Sequence, residues 1–312
     1  MPSVLAAPVG LSSARKGAGL FPRRALPPWL LLVPAFVSLG AVSVYPIVNG
    51  LWLSLTNTSL VTQEHDFVGL ANYALLWDDP TFWNAWRHTL IFTLVSTLAE
   101  TLIGLAMALL LYEPFSGCAV VRAAMLVPWA MPTVVTSKMF GWLFDGQHGL
   151  VNYLLLQVGL IDANVNWYGS VDNALSTIIF ADIWKTTPFM ALLLLAGLHT
   201  IPASLVEAAR MDGGKAFAIF WYVRLPLLLP TLLIAGLFRA LDAFRVFDLV
   251  YVLTGGGPAD STETLSTLSY KIFFSTLQFG YGSAISTAMF VTEAIIAVGF
   301  GLFVMRQMRR AG

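Results

Sequence analysis

Apolar residues in this chain of 312 gather into blocks of about 20, with polar positions concentrated between them. A block of that length crosses a bilayer core of about 30 Å as a helix. The pattern predicts spans at about 29–48, 89–111, 123–144, 174–198, 227–251 and 282–305, an all-α polytopic membrane fold with about six transmembrane helices. Segment 150–161 (LVNYLLLQVGLI) is apolar but too short to span, so it is expected at the interface or as a re-entrant piece. Pro34, Pro128, Pro132, Pro188 and Pro230 fall inside spans and predict kinks, tolerated where neighbours satisfy the freed backbone groups. No soluble domain, low-complexity tract or short-period repeat interrupts the pattern.

Composition agrees: 57% of residues are hydrophobic and 11% charged, against about 25% charged in soluble domains. A single cysteine, Cys118, excludes an internal disulfide and a multi-cysteine metal site. The histidines His65, His88, His148 and His199 are scattered without ligand spacing. Arg15, Lys16, Arg23 and Arg24 precede the first apolar run, as in a signal peptide. That run is of spanning length with no small-x-small cleavage site and soluble domain after it, so an uncleaved first span is expected behind a tail at 1–28.

Charge sets the orientation. With the N-terminus inside, the inner segments hold Arg15, Lys16, Arg23, Arg24, Arg122, Arg210, Lys215, Arg224, Arg306, Arg309 and Arg310, and the outer ones only Arg87 and Lys271. By the positive-inside rule both termini are cytoplasmic. The expected organisation is a cytoplasmic tail at 1–28, a transmembrane domain at 29–305 with an inner loop at 199–226, and a cytoplasmic tail at 306–312.

The inner loop 199–226 is the most informative segment. Pro202 precedes a helical stretch from Ala203 to Met211, and Asp212-Gly213-Gly214 ends it with the turn that glycine permits. Phe217, Phe220, Trp221 and Val223 suggest a second short helix, closed by Leu225-Pro226 at the start of the next span.

Glu207-Ala208-Ala209, three residues, Gly213, nine residues, then Val223-x-Leu225-Pro226 resembles the EAA loop of binding-protein-dependent ABC import permeases. Val223 stands where Ile is usual, and Gly214 where Ala is frequent. Tyr45-Pro46-Ile47, Leu126-Val127-Pro128, Trp184 to Phe189 and Phe238 to Pro258 resemble the carbohydrate-uptake branch. Over about 29–305 the chain is similar to the first permease subunit of actinobacterial trehalose importers.

The resemblance implies a type I ABC importer permease fold in the cytoplasmic (inner) membrane of a bacterium. It also implies two ATPase subunits, a second permease subunit, an extracytoplasmic substrate-binding protein and a sugar substrate, and no nucleic acid. Glu207 would pair with a basic group of the ATPase, Ala208 and Ala209 would allow close helix approach, and Asp212, Gly213, Leu225 and Pro226 would shape the loop. The chain has no GxxxxGK[ST] motif. It is therefore expected to be a non-catalytic subunit that binds no cofactor, with ATP and magnesium used by the ATPase.

Charged residues inside spans cost about 2.5–3.5 kcal/mol each at mid-bilayer on insertion scales. Glu100, Lys138, Asp182, Lys185, Arg239, Asp242, Arg245, Asp248 and Glu293 all fall there. Arg239, Asp242, Arg245 and Asp248 alternate in sign at a spacing of three, which predicts a ladder wrapped about half-way round span five. Asp182, Lys185, Arg239 and Asp242, with Arg245 and Phe244, are the candidates for a polar substrate path; Glu100 and Glu293 read as packing contacts. Thr254 to Pro258 predicts a flexible glycine loop ending span five on the outside. The substrate reading favours a di- or oligosaccharide such as trehalose, with a polyol or glycerol phosphate as the alternative. A secondary transporter or channel driven by an ion gradient is the rival class, and it leaves the EAA loop unexplained.

Overall fold

The computed structural model describes residues 32–311. The predicted tail 1–28 and the first residues of the predicted first span lie outside them. The helices in chain order are α1 Val33–Leu53, α2 Ala71–Asp78, α3 Pro80–Tyr112, α4 Cys118–Ala130, α5 Thr133–Leu143 and α6 Leu150–Gln157. They continue with α7 Val171–His199, α8 Ala203–Met211, α9 Ala216–Phe244, α10 Asp248–Leu253, α11 Leu265–Phe274 and α12 Phe279–Ala311. No strand occurs among the described residues, only isolated bridges such as Ser59 with Glu64. Among the described residues five helices are long and apolar enough to span a bilayer, and six spans result if the α4–α5 pair counts as one.

The described residues divide into two units after Val48, within the range of α1. In the first, α1 contains a π-helical turn at Gly40–Val44, where the Tyr45 N–H reaches the Gly40 carbonyl. Pro46 follows at once. Its ring would collide with the carbonyl four residues back in a regular helix, and the wider turn relieves that contact.

The second unit holds the other spans. Asp79 caps α3 by accepting from the Thr81 N–H at 2.8 Å, and Pro80 occupies the first turn. The cap explains why α3 begins nine residues before the predicted span at 89. Where α3 crosses α7, a side chain on Gly104 would meet Met190 at 2.9 Å and the Ala191 backbone at 3.1 Å. Gly197 of α7 is similarly closed by Thr231 and Leu228 of α9. Small residues that let backbones approach are what drives helix association where no water is expelled. Ala108, Leu111, Met190, Leu194, Leu198 and Leu228 fill the seam among these three helices.

Two predicted spans need correction. The third, expected as one helix at 123–144, is α4 and α5 bent by 90°. Met131 and Pro132 are extended, with ψ of 137° and 135°. Proline drives its predecessor out of the helical region and brings no N–H of its own. The fifth, expected at 227–251, is α9, which starts at Ala216 and ends at Phe244. The second short helix predicted in the inner loop is thus the first turns of α9. Leu225-Pro226 does not close it: a π-helical turn at Phe220–Arg224 carries the helix past Pro226, the same device used before Pro46. At the other end of the chain, α12 continues as helix through residues predicted as a tail.

Candidate functional site

The first candidate is the inner loop. α8 spans Ala203–Met211 as predicted, with Pro202 extended before it. Val206 is buried against Leu198, Ile201, Ile219 and Leu228, with Ala209 packed at the edge, so one face of α8 is pinned to the ends of α7 and α9. Glu207, Ala208 and Arg210 point outward. The helix ends in a Schellman motif: the Gly214 N–H donates to the Ala209 carbonyl at 2.9 Å and the Gly213 N–H to the Arg210 carbonyl at 3.0 Å. Gly213 has φ +81°, and a Cβ on Gly214 would sit 2.6 Å from the Ala209 carbonyl. Asp212 is exposed at the turn. Leu225 and Pro226 lie inside α9, removed from α8's exposed face.

Around α8 the surface is apolar. Met211 is 87%, Phe217 76% and Tyr222 83% exposed, an unusual display for side chains of that size. The loop is also tied to α3: Arg224 donates to Glu113 at 3.2 Å and lies 4.9 Å from the centre of the Tyr112 ring, which packs on His199.

The second candidate lies within the span bundle. Arg239 of α9 is held by Glu100 of α3 and Asp182 of α7, while Asp242 approaches at 3.2 Å one turn along α9. A second Glu100 oxygen accepts from Arg239 Nη2 at 2.9 Å, and Thr186 donates to it at 2.5 Å. Glu100 is fully buried, and Asp182 and Arg239 nearly so. Three spans thus meet on one guanidinium, whose planar fork of donors suits two carboxylates at once.

A cavity of about 170 Å³ opens beside this cluster, lined in part by Asp182, Lys185, Arg239, Asp242, Arg245 and Phe247. At about 30 Å³ per water it holds roughly six waters, less room than a disaccharide needs within this chain alone. Lys185 lines it without an ion pair among the described residues.

Five of the six path candidates line this cavity, and the sixth does not. Phe244 is buried in the core formed with Leu76, Phe82, Ala85 and Ile285, and Phe247 takes the cavity wall instead. Phe244 is still in α9, five residues and about 140° round from Arg239, and so faces the core; the backbone leaves the helix at Arg245, and Phe247 no longer follows that rotation. The predicted ladder is cut at the same point. Only Arg239 and Asp242 pair within it, Arg245 turns to Glu293 of α12 at 3.2 Å, and Asp248 opens α10. Glu100, read as a packing contact, makes the principal contacts of the arginine. The glycine loop is not loose: Thr254 bonds Thr262 at 2.7 Å, Thr262 donates to the Gly257 carbonyl at 2.8 Å, and buried Glu263 pairs with Lys271.

A family model described as "Binding-protein-dependent transport system inner membrane component" matches residues 100–310. The chain is 41% identical over 263 residues to the trehalose/maltose transport system permease protein of Thermococcus litoralis, covering 84% of this chain and 88% of that one. It is 40% identical over 293 residues to the trehalose transport system permease protein of Mycobacterium tuberculosis, covering 92% and 91%. A sulfoquinovosyl glycerol transport system permease protein of Agrobacterium fabrum is 39% identical over 86% of each chain. Among solved structures, a chain of a bacterial ABC transporter involved in importing the acidic polysaccharide alginate superposes with a TM-score of 0.78. That match has 19% identity and covers 89% and 94% of the two chains.

Proposed function

Because this chain belongs to the family of binding-protein-dependent transport system inner membrane components, we propose that it forms half of the sugar pathway of an ATP-driven importer. Members of the family are multi-pass, non-catalytic permease subunits of ABC transporters. The observation that carries the sugar reading is 40% identity over nine-tenths of the chain to a trehalose permease. A di- or oligosaccharide such as trehalose is the favoured substrate. The relative named for sulfoquinovosyl glycerol, together with Lys185 in the cavity wall, which has no ion pair among the described residues, supports an anionic sugar derivative as the second reading.

In this reading both termini face the cytoplasm of a bacterium, and the transmembrane domain covers 29–305. A second permease subunit supplies the other wall of the path, which accords with a cavity too small for a disaccharide in one chain. Two ATPase subunits use ATP and magnesium, and an extracytoplasmic binding protein delivers substrate. α8 is the coupling helix: Glu207 meets a basic group on the ATPase, Ala208 and Ala209 allow approach, and Asp212-Gly213 sets the turn. The exposed Met211, Phe217 and Tyr222 beside it fit an apolar cleft.

The test is reconstitution of the permease pair with its ATPase and binding protein in proteoliposomes. ATP-dependent uptake of labelled trehalose is expected, and it should be lost with ATPase recovery in the Glu207→Lys, Gly213→Val double variant. Wild-type assembly and uptake in that variant would overturn the coupling assignment. Uptake without the ATPase would favour a gradient-driven carrier.

A further inference from the structure

The cavity wall continues outward as a run of aromatic rings that the charged cluster does not account for. Phe247, which lines the cavity, stacks on Tyr251 with ring centres 5.1 Å apart and planes 16° from parallel. Both rings contact Tyr270 of α11, at 5.1 and 5.0 Å. Tyr270 in turn contacts Phe274 at 4.8 Å. Phe247 at the N-cap of α10 with Tyr251, and Tyr270 with Phe274 of α11, thus bring two pairs of rings to one shared surface, while Leu249 and Val250 of α10 face the core.

Tyr251 is 45% and Phe274 65% exposed, while Phe247 and Tyr270 are half-buried. Exposed aromatics near the end of a span are commonly an interfacial belt facing lipid. The neighbours argue against that here. Asp242 and Arg245, 71% and 58% exposed, share a cavity with Phe247, Asp248 and Lys185. Lys185 lies about 20 Å along α7 from its outer end at about 1.5 Å per residue. Charges at that depth face water or protein in preference to lipid, and Phe247 places the aromatic run on the same wall.

Flat apolar rings beside carboxylates and cations have the chemistry that grips a pyranose. The C–H face of a sugar lies on the ring while its hydroxyls bond the polar groups. We propose that Phe247, Tyr251 and Tyr270 form a sugar-stacking platform on the outer approach to the cavity, holding the substrate before it reaches the Arg239 cluster. The proposal rests on the carbohydrate reading above. It assigns the ring faces, not the hydroxyls, as the functional groups.

Trehalose uptake at saturating binding protein, in proteoliposomes of the full complex, tests it with paired substitutions. Tyr251→Phe and Tyr270→Phe keep the rings and are expected to transport as wild type. Tyr251→Leu and Tyr270→Leu keep apolar bulk but lose the face; uptake should fall roughly three- to tenfold, the range of a single aromatic contact. ATPase co-purification and the melting temperature in detergent should not change. Leu variants that transport as wild type overturn the platform, as do Phe variants that fall with them or Leu variants that melt lower. If the wild-type complex imports no trehalose, the trehalose assignment fails and the platform falls with it; if it does and the Leu variants are unaffected, the platform alone fails.

Discussion

Replacing Arg239 with methionine keeps most of the side-chain length and removes the charge that three spans share. Four contacts vanish together: two with Glu100, one with Asp182 and one with Asp242. Their values differ widely. The Asp242 side chain is 71% exposed, so water replaces its partner and the loss is about 0–1 kcal/mol. Glu100 is 0% exposed and Asp182 8%, and no water reaches Glu100. Removing one member of a buried pair strands the other charge and costs about 3–5 kcal/mol. Arg239→Met should therefore lower the melting temperature of the detergent-solubilised complex far more than Asp242→Asn. Arg239→Lys should fall between, since a point charge cannot bind both carboxylates side by side. Adding Glu100→Gln to Arg239→Met should recover part of the loss, because the stranded charge is then gone. Equal melting of Arg239→Met and wild type, or no recovery in the double variant, would refute the account of a buried, charge-balanced junction.

Gly213→Ala puts a Cβ on a residue at φ +81°, a left-handed conformation that costs about 1–2 kcal/mol for a side chain, and should reduce ATPase recovery in pull-down while the chain still inserts. Asn152→Ala removes amide bonds to the Gly146 and Val165 carbonyls and from the Val165 and Trp167 N–H groups; at ~1 kcal/mol each, limited proteolysis should cut residues 158–167 faster. Gly256→Ala puts a Cβ on the Glu263 carboxylate at φ +94°, so a cysteine introduced at Ala259 should label faster than in the parent. The Asp145 carboxyl is held below the usual carboxylate range, first by the His148 N–H and then by the Gln147 N–H. Its contribution is complete above the ordinary value of about 3.9 and lost as pH falls through the lower folded value; protease sensitivity of this turn should rise only in strong acid, and Asp145→Asn should remove that step.

Which parts of this molecule can be read from residue order follows from the range of the forces involved. α8 was legible to the residue because its limits are local: Pro202 sets the start and Asp212-Gly213-Gly214 the stop. Long spans were legible because twenty apolar residues in succession have few other uses. Their ends were not, where a cap such as Asp79 or a π-helical turn before Pro226 extends the helix beyond its apolar stretch. Pro132 announced a kink, but its size depends on two successive extended residues. The least legible feature was partner choice. Nothing local to Glu100 states that Arg239, far along the chain, will face it, and nothing local to Arg245 states that the helix ends there and turns it to Glu293. The same boundary is what puts Phe247 on the cavity wall.

The two candidate sites are linked by the helices that carry them. α8 lies in sequence between α7 and α9, and Val206 fixes it to both through Leu198, Ile219 and Leu228. Those same two helices supply Asp182 and Arg239. About 17 residues of α7 separate Asp182 from His199, roughly 25 Å at ~1.5 Å per residue. No large moving part is needed between them, since a packed helix transmits a shift along its length. Pro188 and Pro230 interrupt the backbone ladders of α7 and α9 between the two sites, which gives each helix one point of easier bending. Glu100 sits on α3, which reaches the same inner loop through Arg224 with its partners Glu113 and Tyr112, and through Ala108 and Leu111 in the shared apolar seam. A displacement of α8 in the proposed cycle would then move Asp182 and Arg239 as a pair and strain their contacts with Glu100. The junction is placed to resist that movement, so weakening it by Glu100→Gln should raise ATP hydrolysis in the absence of sugar, measured on the reconstituted complex. Unchanged basal hydrolysis in that variant would show that the cluster only holds the bundle together.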